Sequence, residues 1–258
     1  MPSPGIDVAK RAVGRAFRDL LGRAGLKLVR TGPRPFEEFR DYIPFAETVA
    51  GAKSQGLSVG DYIDKTYGRA GATQETVERL QALGAVHGGV KRVCEIGPGS
   101  GRYLERVKRA CRPDHYEIYE TAVQWRDHLV REYSVVAQPT DGSSLSATPD
   151  RSMDLVHAQK VFAGLPFMVA QRYFREMARV VAPGGKIAFD TPTERCMDEA
   201  VVERWLASKA IYDTYPSVIP RQCVLDLFAS RGFVLDEAFL ISMEPGTSEY
   251  FVFTRPTG

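Results

Sequence analysis

Cysteine is scarce and scattered in this chain. Cys94, Cys111, Cys196 and Cys223 form no close pair and no Cys-x-x-Cys spacing. That excludes a disulfide scaffold, carries no zinc signature, and fits reduced thiols in the cytoplasm. No apolar run approaches the ~20 residues that span a bilayer. The start, Met1-Pro2-Ser3-Pro4-Gly5, lacks the apolar core of a secretion signal, so a cytoplasmic protein is expected. An excess of one charge is also missing, since 34 Lys and Arg face 32 Asp and Glu for a net +2. A general polyanion binder is therefore disfavoured. No continuous Lys/Arg stripe crosses the core, which argues against a nucleic-acid partner. Internal repeats and low-complexity tracts are absent. What remains is 258 residues, 44% hydrophobic and 26% charged, a globular composition with room for one α/β domain and an extension.

The most informative stretch is Arg92-Val93-Cys94-Glu95-Ile96-Gly97-Pro98-Gly99-Ser100-Gly101-Arg102-Tyr103-Leu104. Val93 and Ile96 suit a buried strand, and Tyr103, Leu104 and Val107 recur at helical spacing. Between them Gly97, Gly99 and Gly101 crowd five positions. Such a turn lets a ligand approach the backbone and ends at a helix N-terminus, which favours anionic groups. Glu95 precedes the first glycine by two residues, where a carboxylate can meet an ammonium or hold the turn's amides. Glu120 closes a second apolar run, His115-Tyr116-Glu117-Ile118-Tyr119-Glu120. An acid about 20 residues past such a turn accepts ribose hydroxyls in βαβ nucleotide folds.

Further landmarks follow in order: Val135-Val136-Ala137 with Asp141-Gly142, then Met153-Asp154-Leu155-Val156-His157-Ala158, then Val180-Val181-Ala182-Pro183-Gly184-Gly185-Lys186-Ile187-Ala188-Phe189. With Glu95–Gly101 and Glu120 they make five ordered features over residues 75–255. In these the chain resembles the class I S-adenosylmethionine (SAM)-dependent methyltransferases. The resemblance implies an α/β, Rossmann-like, mostly parallel sheet with helices on both faces and a terminal antiparallel strand pair. It also implies SAM as cofactor, with S-adenosylhomocysteine as product. Glu95, Gly97, Gly99 and Gly101 would hold the amino-acid end, Glu120 the ribose, Asp141 and Gly142 the adenine, and Gln159 the sulfonium side.

Punctuation sets the organisation. Residues 1–74 read as a helical extension, containing a basic amphipathic helix over 6–30 and a cap region over 36–68; residues 75–258 read as the methyltransferase domain. Residues 1–30 carry seven Lys or Arg and two acids, with Ile6, Val13, Phe17, Leu20, Leu21 and Leu28 at helical spacing. That helix suits burial against protein, self-association or peripheral membrane contact. Thr31-Gly32-Pro33-Arg34-Pro35 ends it. Helices are expected over 36–53, over 58–65, and from a Thr73 cap to about Leu83. Alternation then predicts strands near 92–96, 115–119, 134–137, 153–158 and 185–190, with helices over 101–110, 121–132 and 169–181. Residues 191–220 form an accessory insertion, helical over 194–212 and rich in aromatics, that with the 36–67 region would roof a small-molecule pocket. A helix over 221–230 and strands over 233–243 and 249–254 complete the chain.

Methyl transfer from a sulfonium needs alignment and a dry site, and an oxygen acceptor also needs its proton removed. The segments after strands four and five are where reacting groups belong. The His pair that many family members carry after strand four is replaced by Ala163 and Gly164. Candidates for the acceptor side are therefore Asp190, His157 and Lys160. Asp190 with Glu194 is the best carboxylate pair for a magnesium ion, but no acidic cluster supports it and no metal is expected. The absence of Asn-Pro-Pro-Tyr disfavours amide-type acceptors. The expected activity is O-methylation of a small molecule carrying a sugar, polyketide-like or lipid-linked hydroxyl. A non-catalytic partner subunit of the same fold and an aminopropyl transferase using decarboxylated cofactor are the alternatives.

Overall fold

A computed structural model describes residues 43–207 and 216–258. The basic helix expected over 6–30 and residues 36–42 of the cap region lie outside the described residues, as do 208–215 of the insertion.

Seven strands form one sheet: β1 (Arg92–Ile96), β2 (His115–Tyr119), β3 (Val136–Ala137), β4 (Met153–Ala158), β5 (Val181–Thr191), β6 (Val234–Met243) and β7 (Gly246–Thr254). Their order is β3-β2-β1-β4-β5-β7-β6. The first five are parallel, while β7 runs antiparallel between β5 and β6. This is the expected Rossmann-like sheet with its terminal antiparallel pair. The chain winds outward from β1 in one direction and returns at β4 in the other. A crevice therefore opens between β1 and β4 at their carboxyl ends, the usual ligand position in open α/β sheets.

Helices cover both faces. On one, α6 (Phe167–Val180) and α8 (Arg221–Ala229) bury Phe174 and Phe228 against Phe189, Phe251 and Phe253. Ring centroids lie 4.8 Å apart for Phe174–Phe189 and 4.5 Å for Phe228–Phe253. On the other face, α3 (Ala72–Ala82), α4 (Arg102–Cys111) and α5 (Val123–Tyr133) bury Val77, Leu80, Leu104, Val107 and Leu129 against Val93, Leu155 and Val252. α1 (Phe45–Ser54) and α2 (Val59–Tyr67) precede them, and α7 (Glu199–Ala207) lies in the insertion. The boundary expected at 74–75 falls inside α3.

Several boundaries moved for local reasons. The helix expected from residue 36 is described from Phe45, directly after Pro44, a residue whose fixed φ and missing N–H suit a helix start. Ser58 caps α2 through its hydroxyl, which accepts from Asp61 N–H at 3.1 Å. Thr73 does not cap α3; Gly71 holds that position, and Thr73 Oγ1 donates instead to Asp64 at 2.6 Å. β3 shrinks to two residues. β5 begins at Val181 rather than 185, with the Pro-Gly-Gly segment accommodated as a register shift opposite Met153 and Leu155.

Candidate functional site

The site is built where β1, β2, β3 and β4 end. After β1 the chain turns through Gly97, Gly99 and Gly101, with φ of 58°, 53° and 79°. At Gly101 a side chain would run into Leu129, so both the backbone angle and the packing of α5 require glycine there. Gly97 N–H donates to Tyr119 O at 2.9 Å, tying the turn to the end of β2. Glu120 then braces it from below: its carboxylate accepts Gly99 N–H and Ala122 N–H, each at 2.7 Å. Burial pushes the Glu120 carboxyl up, while these backbone donors oppose that effect.

Gly97, Gly99, Glu120, Gly142 and Lys160 line a single cleft of about 450 Å³. Tyr119, Trp125 and Tyr173 add aromatic surface to it. The rest of the wall comes from Ile63, Asp64 and Tyr67 of α2, from Arg69 after it, from Thr73 and Thr76 of α3, from Arg102 and Tyr103 of α4, from Trp205 of α7, from Phe239 to Met243 of β6, and from Glu244. This volume falls in the range of sites for cofactor-sized ligands. The Phe36–Tyr67 region and the insertion were both expected to roof the pocket; their described parts, Ile43, Ile63, Tyr67, Trp205 and Pro216, do line it.

Other sequence candidates sit behind this wall. Glu95 is 1% exposed and faces the sheet interior. Tyr116 OH donates to Glu95 at 2.6 Å and lies 2.8 Å from His157 Nε2. Gln159 Nε2 approaches His157 Nδ1 and Tyr250 OH, each at 2.9 Å. The arrangement that satisfies every group has Gln159 donating to Nδ1 and to Tyr250, His157 Nε2–H donating to Tyr116, and Tyr116 donating to Glu95. Burial pushes the Glu95 carboxyl up to about 8, against the Tyr116 hydrogen bond. Burial also pushes His157 down to about 4, so the histidine is neutral and occupied. Gln159 was expected beside the sulfonium, but the structure places it in this interior network.

Lys160 follows β4 in a left-handed conformation (φ 59°). Its N–H donates to Asp190 at 2.7 Å, and its ammonium meets Ser242 O at 2.7 Å, Ser248 Oγ at 2.9 Å and Asp190 at 3.3 Å. Ser248 also donates to Asp190. Burial lowers the Lys160 pKa while Asp190 pulls it back. The lysine thus clamps the end of β4 to β5, β6 and β7. Asp190 is 1% exposed and serves this clamp rather than facing the cleft. Glu194, the carboxylate weighed with it for a magnesium ion, accepts Arg221 N–H at 2.9 Å. Among the described residues no group of three or more His, Cys, Asp or Glu is placed to hold a metal ion. Asp141 is turned into its own loop, accepting Ser143 and Ser144 N–H at 2.8 and 2.7 Å. Burial opposes its ionisation, but these bonds outweigh that and hold the carboxyl below its usual range. Only its neighbour Gly142 reaches the cleft.

Residues 68–238 match a family described as the methyltransferase domain, which is two thirds of the chain. The fold and the braced glycine turn define a Rossmann-like, SAM-dependent methyltransferase, and the chain belongs to this methyltransferase-domain family. Magnesium protoporphyrin IX methyltransferase from Synechocystis, solved with bound SAM, superposes with a TM-score of 0.58 at 13% identity, covering 88% of this chain and 100% of that one. A putative sarcosine dimethylglycine methyltransferase from Galdieria sulphuraria gives 0.54 at 13% identity, covering 72% and 85%. Geranyl diphosphate C-methyltransferase from Streptomyces coelicolor gives 0.52 at 12%, covering 70% and 78%. Identities this low show a shared fold and no more. No curated protein sequence matches the chain closely enough to count as a relative. No helix among the described residues is long and apolar enough to cross a membrane.

Proposed function

We propose that this methyltransferase passes the methyl group of SAM to a hydroxyl of a small, uncharged and largely apolar molecule. The observation that carries this reading is the cleft wall beyond the glycine turn. Tyr67, Trp205, Phe239, Leu240, Ile241 and Met243 give it an apolar surface. Of the charged side chains in this part of the wall, Glu75 pairs with Arg69 and Arg79 with Glu237, while Glu244 accepts, among the described residues, only the Ser242 hydroxyl at 3.3 Å. A neutral hydroxyl needs no countercharge from this apolar wall, whereas an amine acceptor, cationic near neutral pH, would have to draw on Glu244. Asp190 and His157 are occupied by Lys160 and Tyr116, which leaves proton removal to the acceptor's own acidity. That favours a phenolic or enolic hydroxyl of the polyketide-like kind over a sugar alcohol.

SAM supplies the transferable methyl and a good leaving group. The protein's part is orientation and exclusion of water. Glu120 would receive the ribose hydroxyls, its carboxylate exchanging or sharing its two backbone donors. Trp125, Tyr173 and Gly142 would flank the adenine. Incubation with methyl-labelled SAM and a panel of phenols, alkyl alcohols and amines tests the reading. Transfer to phenols is expected; transfer confined to amines would overturn it.

A further inference from the structure

The glycine turn was expected to hold the cofactor's amino-acid end together with Glu95. Glu95 faces the sheet interior and its hydrogen bond goes to Tyr116. The cleft itself offers a different pair of charges beside the turn. Asp64 of α2 and Arg102, the first residue of α4, both line it. Their contact is Arg102 Nη1 to Asp64 Oδ1 at 3.2 Å, longer than the ~2.8 Å typical of a charge-assisted bond.

The pair is built, not incidental. Asp64 is 2% exposed, and a carboxylate so buried needs firm partners. Its Oδ1 accepts from Thr73 Oγ1 at 2.6 Å. Its Oδ2 has only long approaches, Thr73 N at 3.4 Å and Arg106 Nη2 at 3.8 Å. Arg106 itself is committed to Asp61 at 2.6 Å. Gly60 is what lets α2 come this close: a Cβ there would lie 3.2 Å from Arg102 Cα and 3.1 Å from its Cβ. Asp64 thus retains acceptor capacity on a buried carboxylate. Arg102 presents a five-donor guanidinium of which the described contacts engage one nitrogen.

Strand order gives the ligand its direction. Gly142 follows β3, Glu120 follows β2, the glycine turn follows β1, and Lys160 follows β4, with the strands adjacent in the order β3-β2-β1-β4. A nucleoside whose ribose sits at Glu120 must send its remaining arm across the β1 turn, toward the start of α4 and the helix packed on it. We infer that Asp64 and Arg102 are the receptor for the α-amino acid end of the cofactor, Arg102 taking the carboxylate and Asp64 the ammonium. This rests on the reading that SAM is the cofactor. The exchange conserves charge, because a zwitterion inserts into an ion pair that has one weak contact. It also makes α2, a helix of the expected N-terminal extension, part of cofactor binding.

The test compares two probes by calorimetry: S-adenosylhomocysteine and methylthioadenosine, which keeps the nucleoside and sulfur but lacks the amino acid. Wild type should bind the first at least tenfold more tightly. Arg102→Met and Asp64→Asn should each erase most of that preference while leaving methylthioadenosine binding within about twofold. Equal affinity of wild type for the two probes overturns the inference without touching the cofactor reading, and needs no variant. Variants that keep the full preference, or that lose both probes equally, also overturn it. Failure of wild type to bind either probe would instead remove the cofactor reading on which the inference rests.

Discussion

Replacing Glu95 by glutamine should change how stability depends on pH, by an amount the structure sets. An ordinary glutamate titrates near 4.5, and burial raises Glu95 to about 8. Between these values the folded protein keeps a proton that the unfolded chain gives up. Unfolding therefore releases a proton in that window, and stability falls as pH rises through it. The full penalty, reached above about pH 8, is roughly 5 kcal/mol on the scale of ~1.36 kcal/mol per pH unit. Most of the part between pH 6 and pH 9 is about 2.5 kcal/mol by the same linkage. Glutamine keeps an acceptor for Tyr116 and cannot ionise. Every other titrating group is common to the two proteins, so it cancels in the comparison. Urea denaturation at pH 6 and pH 9 should show wild type losing about 2.5 kcal/mol more than Glu95→Gln over that interval. Parallel slopes would refute the reasoning, because they would mean that Glu95 is ionised in the folded protein at both values.

Other perturbations follow from the same geometry. Gly101→Ala places a side chain at φ 79° against Leu129 and should cost roughly 2–3 kcal/mol in a denaturant melt, with loss of cofactor binding in calorimetry. Lys160→Met leaves the buried Asp190 without its cation and should destabilise by about 3 kcal/mol; adding Asp190→Asn should recover part of that, and two additive losses would contradict the clamp. Trp125→Ala removes both an aromatic wall of the cleft and the bond from its indole N–H to Ile43 O at 2.9 Å. It should weaken cofactor binding at least threefold, a loss that the ratio of calorimetric affinities reads directly.

The parts of the molecule that were legible in the sequence are those whose cause is local. Three glycines in five positions, with apolar periodicity changing from strand to helix around them, mark the turn before any tertiary contact is known. Glu120 follows from spacing along a βαβ unit, and the β6–β7 pair from two apolar runs at the chain's end. What escaped depends on packing. Asp141 has the residue type and position of an adenine contact, yet Ser143 and Ser144 capture it, an Asx-type competition that either outcome would have matched. Glu95, His157 and Gln159 alternate along their strands onto one buried face. Only the sheet order, with β1 between β2 and β4 and with β7 beyond β5, shows that they meet Tyr116 and Tyr250 rather than the cleft. Arg102 carried a readable signal, being the first helical residue after the turn. Asp64 carried little, because its role depends on Gly60 admitting α2 to α4.

The central claim is that the cleft over the glycine turn binds SAM with its ribose at Glu120. Calorimetry with SAM on wild type and on Glu120→Ala tests it most directly. The structure predicts binding by wild type and a loss of at least ~1.4 kcal/mol, or tenfold, in the variant. Equal affinities in two folded proteins, or no binding by wild type, would contradict it.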